Sequence, residues 1–265
     1  MRLIQHKTEA FWFYRFLSPL YDRCVNPLFW TREMRTAALE PARLERRDLL
    51  TVDVGAGTGF STEGIVEHVD AEHVTLLDQS PHQLSRARRK PALAACTVVQ
   101  GDAEQLPFET DHFDRYVSCG SIEYWPDPQA AFAEAYRVLK PGGIACVVGP
   151  LPPANRIARR LADLWMLFPP ESDYREWMAA AGFADVTLVR VAPGWHSGDG
   201  YGISIAGRKP AAGPSPAAAA PRESVREPMT ARRWARWVAG SAAGAVFVPI
   251  AALASLRARL RGARG

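Results

Sequence analysis

Val52-Asp53-Val54-Gly55-Ala56-Gly57-Thr58-Gly59 constrains this chain more than any other stretch, because a short apolar strand runs straight into Gly-x-Gly-x-Gly. Glycines at these positions let the backbone turn sharply and come close to a ligand without side chains in the way. A helical pattern over Phe60–His68 follows at once. Strand, glycine turn and helix make a βα unit, and such a strand is buried only inside a sheet whose crossovers are helices. The unit then repeats. Val74–Leu77 reads as a second strand ending in Asp78, and Ser80 caps a helix that starts at Pro81 and runs to about Lys90. The basic end of that helix suits its dipole.

Thr97–Val99 and Arg115–Ser118 read as the third and fourth strands. Asp127 caps the next helix and Pro128 starts it, with Phe132, Ala135, Tyr136 and Leu139 on one apolar face. Lys140-Pro141-Gly142-Gly143 closes that helix and Ile144–Val148 is the fifth strand. Helices are predicted over Arg156–Phe168 and Ser172–Ala181, the latter ended by Gly182. Val186–Val191 and Gly202–Ala206 are strands with no helix between them, so they are predicted to pair antiparallel. The expected fold class is therefore α/β, a doubly wound and mostly parallel seven-stranded sheet with an antiparallel last strand.

Charge divides the chain more sharply than composition does. Residues 1–207 carry 21 Lys+Arg against 26 Asp+Glu, whereas residues 208–265 carry 11 against 2. The acidic body argues against a nucleic-acid binder, and the basic tail points toward an anionic surface. Residues 1–48 hold an aromatic segment, read as a helix packed on the core that is also suited to cover an apolar ligand. Residues 49–207 form the main domain. Residues 208–231 are a Pro/Ala-rich linker, too poor in large apolar side chains to pack a core. Residues 232–265 contain Trp237–Leu256, a run of 20 residues without a charge, flanked by arginines on both sides. At ~1.5 Å per residue such a run spans the ~30 Å of a bilayer, so a single transmembrane helix is expected, with an interfacial basic helix and a helix docked on the domain as the alternatives and the orientation left open by arginines on both flanks. The polar opening Met1–Ala10 is not a secretory leader. The four cysteines have no C-x-x-C spacing and read as free thiols. No metal-ligand constellation, nucleophile elbow or His-Glu-x-x-His motif is present, so no metal is expected.

The ligand follows from the acids around the glycine turn. A dinucleotide fingerprint requires G-x-G-x-x-G/A, but here the third glycine arrives one residue early, and no Gly-Lys-Ser/Thr follows to make a phosphate loop. Asp78, at the end of the second strand, can accept both hydroxyls of a ribose. Asp102, after the third strand, can accept from an adenine amino group. Asp53, beneath the turn, favours a cation indirectly. Three carboxylates attract a cation and repel a pyrophosphate. S-adenosylmethionine has adenine, ribose and a sulfonium and no phosphate, and it is the cofactor expected here. The residues read as its site are Asp53, Gly55, Ala56, Gly57, Thr58, Gly59, Asp78, Gln79, Asp102, Ala103 and Ser118.

Asp53–Gly59, Leu77-Asp78, Gly101–Phe108 and Val138–Gly143 resemble the successive motifs of the Rossmann-like class I methyltransferases. More narrowly, His6–Ser18, Asp78–Leu84, Gly120–Pro128 and Asp163–Pro169 are similar to segments of the plant plastid methyltransferases of 2-methyl-6-phytyl-1,4-benzoquinol type, over about residues 5–210. That resemblance implies C-methylation of prenylated benzoquinols, the phytyl and solanyl compounds, on the way to tocopherols and plastoquinone. It also implies a tether to the plastid inner envelope through a C-terminal helix, matched here by Trp237–Leu256. Plant precursors of the family carry a transit peptide, and this chain does not open with one. Methylating a ring carbon beside a phenol calls for an apolar cavity, orientation and a base. Glu123 is the candidate base, with His82 and His196 weaker. Tyr124 and Trp125 are expected to wall the ring, and Tyr14 and Tyr21 to close over it. Other readings of the same residues are a sterol or small-phenol methyltransferase, an NAD-linked oxidoreductase and a non-catalytic membrane scaffold.

Overall fold

The computed structural model describes residues 30–153, 167–194 and 200–217, together with a few isolated positions. Seven strands form one sheet in the order β3-β2-β1-β4-β5-β7-β6. They are β1 (Thr51–Val54), β2 (Val74–Asp78), β3 (Thr97–Gln100), β4 (Phe113–Cys119), β5 (Leu139–Pro150), β6 (Ala184–Val191) and β7 (Gly202–Arg208). The helices are α1 (Arg32–Leu39), α2 (Phe60–Ile65), α3 (Pro81–Ala87), α4 (Pro128–Val138) and α5 (Glu171–Ala181). β1 to β5 pair in parallel. β7 inserts between β5 and β6 and runs antiparallel to both. The predicted antiparallel pairing is present, and the insertion, which no local pattern encodes, is what the sequence leaves out.

Period-two burial puts successive residues of a central strand on opposite faces. Tyr116, Ala145 and Val147 pack with Phe132, Tyr136, Tyr174 and Met178 on the α4–α5 face. Val117, Cys146 and Val148 pack with Met34, Ala38 and Leu39 of α1 on the other. Both faces are covered, as a parallel sheet requires. The caps act where expected: the Ser80 hydroxyl accepts from the Gln83 N–H at 3.4 Å and the Asp127 carboxylate from the Ala130 N–H at 3.2 Å.

Two boundaries move. Helix α2 ends at Ile65, and its expected continuation tightens into an i→i+3 turn, with His68 N–H donating to the Ile65 carbonyl at 3.0 Å. Strand β5 begins at Leu139 rather than Ile144, because Leu139 already pairs with Phe113 before the register shifts. The Pro-Gly-Gly that follows makes that shift, with Gly142 at φ +82°.

The packed unit also extends past residue 207. Lys209 is fully buried, and Ser215, inside the expected linker, is buried as well. Lys209 Nζ donates to Asp111 Oδ1 at 2.5 Å and to the Gly213 carbonyl at 2.7 Å, and it lies 4.7 Å from the centre of the Tyr136 ring. The Gly213 N–H returns a bond to Asp111 Oδ2 at 3.0 Å, and the Ser215 hydroxyl donates to the Ala181 carbonyl at 2.9 Å. Since β7 runs opposite to β1–β5, this clamp lies at the amino ends of those strands. Most of the predicted Arg156–Phe168 helix, of the linker and of the apolar stretch Trp237–Leu256 lies outside the described residues, and Leu167 and Phe168 are not helical. Among the described residues, no helix is long and apolar enough to cross a membrane.

Candidate active site

At the carboxyl ends of β1, β2 and β4 the chain leaves a crevice of about 1060 Å³, part of it open to solvent. Its floor is the glycine turn. Gly55, Gly57 and Gly59 have φ of +71°, +58° and +82°, a region that disfavours side chains. Gly55 is also pressed against the neighbouring loop, since a Cβ there would stand 2.4 Å from Ser121 Cβ. The turn is held by Leu77, whose carbonyl accepts from Gly55 N–H at 2.7 Å and Ala56 N–H at 3.1 Å.

Asp78 grips the same turn. Its Oδ2 accepts from Gly57 N–H at 2.9 Å and its Oδ1 from Ser80 N–H at 2.8 Å. Each oxygen keeps a second lone pair for a ligand. Burial raises this carboxyl to about 6 against the pull of those two N–H bonds. Asp53 lies beneath, fully buried, its Oδ2 accepting from the Ser61 and Thr62 hydroxyls at 2.6 and 2.7 Å. Burial raises it too, to about 6, and its Oδ1 has no partner among the described residues. Asp102 sits after β3, its Oδ1 accepting from the Glu104 N–H at 3.0 Å. The loop that carries it is strapped to α4, because Leu106 N–H donates to Glu134 at 2.7 Å and Arg137 donates to the Phe108 carbonyl at 2.7 Å.

Of the residues expected at the cofactor, Gly55, Ala56, Gly57, Thr58, Asp78, Gln79, Asp102 and Ala103 line the crevice. Three do not. Asp53 acts from below, as its burial dictates. Gly59 faces the apolar layer, where a Cβ would meet Leu93 Cδ1 at 2.4 Å. Ser118 is buried and shares a 2.7 Å hydrogen bond with the hydroxyl of Ser121, which does reach the wall. Tyr124 and Trp125, the candidates to wall the ring, line the crevice. Glu123 is buried and does not. Its Oε2 lacks a partner among the described residues, and burial raises the carboxyl to about 7. Neither His82 nor His196 lines it. Tyr14 and Tyr21 lie outside the described residues.

Several wall residues were missed by the sequence reading, among them Trp30, Arg35 and Gln83. Arg35 interrupts the apolar stripe Met34–Ala38–Leu39 and Gln83 stands beside Leu84 on the buried face of α3, so a polar residue on a buried stripe was the available signal. Arg35 is the only cation among the described residues of the wall, and its charge is already met by Glu67 at 2.6 Å and the Phe60 carbonyl at 3.1 Å. Carboxylates therefore set the sign of the site, which fits a sulfonium better than a phosphate.

A methyltransferase domain model matches residues 52–147, the segment that builds this crevice. A solved structure of the cyclase SpnF, 20% identical, superposes with a TM-score of 0.64 over 77% of this chain and 96% of that one. Fold and site together define a class I methyltransferase that uses S-adenosylmethionine. The chain is 56% identical over 234 residues, 86% of its length, to the chloroplastic 2-methyl-6-phytyl-1,4-hydroquinone methyltransferase of Spinacia oleracea, covering 68% of that protein. It is 53% identical over 257 residues, 94% of its length, to the Arabidopsis thaliana protein of the same name, covering 76%. It belongs to the 2-methyl-6-phytyl-1,4-hydroquinone methyltransferase family.

Proposed function

We propose that this enzyme C-methylates a prenylated benzoquinol, of the 2-methyl-6-phytyl or 2-methyl-6-solanyl type, in the formation of tocopherols and plastoquinone. The observation that carries the reading is the mixed lining of the crevice, where the carboxylates Asp78 and Asp102 and the aromatic side chains of Trp30, Tyr124 and Trp125 share one wall. The names of the relatives favour a prenylated quinol over a sterol or a simple phenol. Bound S-adenosylmethionine supplies an electrophilic methyl group.

The chain's own residues do the rest. Gly55 and Gly57 let the backbone approach the cofactor, Asp78 accepts from its ribose and Asp102 from its adenine. Tyr124 and Trp125 orient the quinol ring so that the carbon beside a phenolic hydroxyl faces the methyl. Glu123, the residue before Tyr124 in the loop that walls the crevice, takes the phenolic proton, which makes that carbon nucleophilic. A carboxyl held near 7 is matched to this task. We assign Trp237–Leu256 as the tether to the plastid inner envelope, where a tethered enzyme meets a membrane-bound substrate at high effective concentration.

Radiolabelled methyl transfer to phytyl- and solanyl-benzoquinols, beside a sterol and a simple phenol, tests the reading. Methylation of the prenylquinols at the position ortho to the hydroxyl supports it, and methylation of only the sterol or the phenol overturns it. Removal of residues 225–265 is expected to release the protein from membranes while leaving cofactor affinity unchanged.

A further inference from the structure

Gln83 is a buried amide that the fold itself leaves unserved. It is the third residue of α3 and only 2% exposed, yet it lines the crevice. Its backbone N–H is used by the Ser80 cap, but its side-chain Oε1 is buried with no partner among the described residues. A Cβ placed on Gly57 would stand 3.9 Å from both Cδ and Oε1 and 4.0 Å from Nε2, so the flat of the carboxamide faces the glycine turn. Gly57 is the residue whose N–H binds Asp78. The carboxamide and the carboxylate therefore flank one turn.

A buried polar atom without a partner is costly, and native folds keep few of them. Here the missing partner has a place to come from, because the crevice opens on the same turn. We infer that the carboxamide of Gln83 is a polar contact for the nucleoside half of the cofactor, beside the Asp78 carboxylate. This rests on the S-adenosylmethionine reading of the crevice and adds to it a neutral group that can both donate and accept. Asp78 can only accept while it is ionised, so Gln83 answers a nucleoside group of either polarity.

The test pairs two measurements on the full chain, with Gln83→Met as a near-isosteric apolar replacement and Gln83→Leu as a second. The first is titration calorimetry with S-adenosylhomocysteine and with its 2′-deoxy, 3′-deoxy and N6-methyl analogues. The second is thermal unfolding without ligand. Affinity for S-adenosylhomocysteine is expected to fall roughly 3- to 10-fold, the effect of one neutral hydrogen bond. The ligand-free Tm is expected to hold or rise, because the replacement removes an unpaired buried group. One of the analogues is expected to bind the original protein and the variant equally well, which identifies the contacted group. Unchanged affinity overturns the inference. So does a fall in ligand-free Tm together with the same loss for every analogue, which marks a packing role. A parent chain that fails to bind S-adenosylhomocysteine at all overturns the underlying reading instead.

Discussion

The two ends of the sheet treat buried polar groups in opposite ways. At the amino ends of the parallel strands, Lys209 is fully enclosed, and its ammonium meets Asp111, two carbonyls and the face of Tyr136. At the carboxyl ends, Gln83, Asp53 and Glu123 each keep a buried oxygen without a partner among the described residues. These side chains are buried at both ends, so burial does not separate them. Satisfaction does. The ammonium has its bonds made inside the fold, whereas of the incomplete groups Gln83 lines the crevice and Asp53 and Glu123 lie behind its wall.

Four experiments press on that contrast. The largest effect is expected from Glu123→Gln, with turnover reduced roughly 10²- to 10⁴-fold. Its Tm at pH 8 should hold or rise, because an unpaired buried carboxylate is gone. A base works deprotonated, so the turnover of the parent enzyme should climb with pH through about 7 and that of the variant should not. Normal turnover in the variant would place Glu123 with the structural groups.

Lys209→Met is the mirror image. It leaves Asp111 without its cation and is expected to cost about 2–4 kcal/mol of stability, read from urea unfolding. Affinity for S-adenosylhomocysteine should stay within about twofold of the parent, the error expected for sites this independent. A steep loss of affinity would show that the two ends are not independent.

Gly55→Ala joins the two cases, because it strains a positive φ and drives a methyl into Ser121. A cost of about 1–3 kcal/mol is expected, appearing in cofactor affinity. Adding Ser121→Gly should recover only part of it, since the collision is relieved and the backbone strain is not. Full recovery would assign the requirement for glycine to packing alone.

The smallest effect is on the pH dependence of stability. Asp53 and Asp78 are raised to about 6 and Glu123 to about 7, in each case chiefly by burial. Between roughly pH 4 and 7 the folded chain therefore binds more protons than the unfolded one, and stability falls as pH rises through that window. The ligand-free Tm should be higher at pH 5 than at pH 8, and Asp78→Asn should flatten the slope. Asp111 has the opposite sign. Burial pulls its carboxyl upward, but the hydrogen bonds from Lys209 and the Gly213 N–H prevail and lower it. Its contribution is lost only as pH falls into the acid range. The clamp does not titrate between pH 5 and 8, so a Tm rising across that window would contradict the raised carboxyls at the crevice.

Much of this was legible before any coordinates. The cap at Ser80, the cap at Asp127, the glycine turn and the acids that follow β2 and β3 are local patterns, each set by a few adjacent residues. The eight cofactor residues that reach the crevice come from such patterns. Gly59 and Ser118 were read as ligand contacts because they sit within or beside motifs, but the apolar layer claims one and a serine neighbour the other. Glu123 was singled out from its loop, and no spacing rule could say that its carboxyl turns inward.

The sequence by itself determined the alternation of strands and helices, the glycine turn and the acidic sign of the site, because these depend on periodicity, φ preference and charge within a few residues. Only the tertiary structure decided that β7 enters between β5 and β6, that Lys209 reaches across to Asp111, and that Gln83 faces Gly57 with nothing to bind. Those outcomes join residues far apart in the chain, and they are settled by which groups remain unpaired once the two faces of the sheet have been covered.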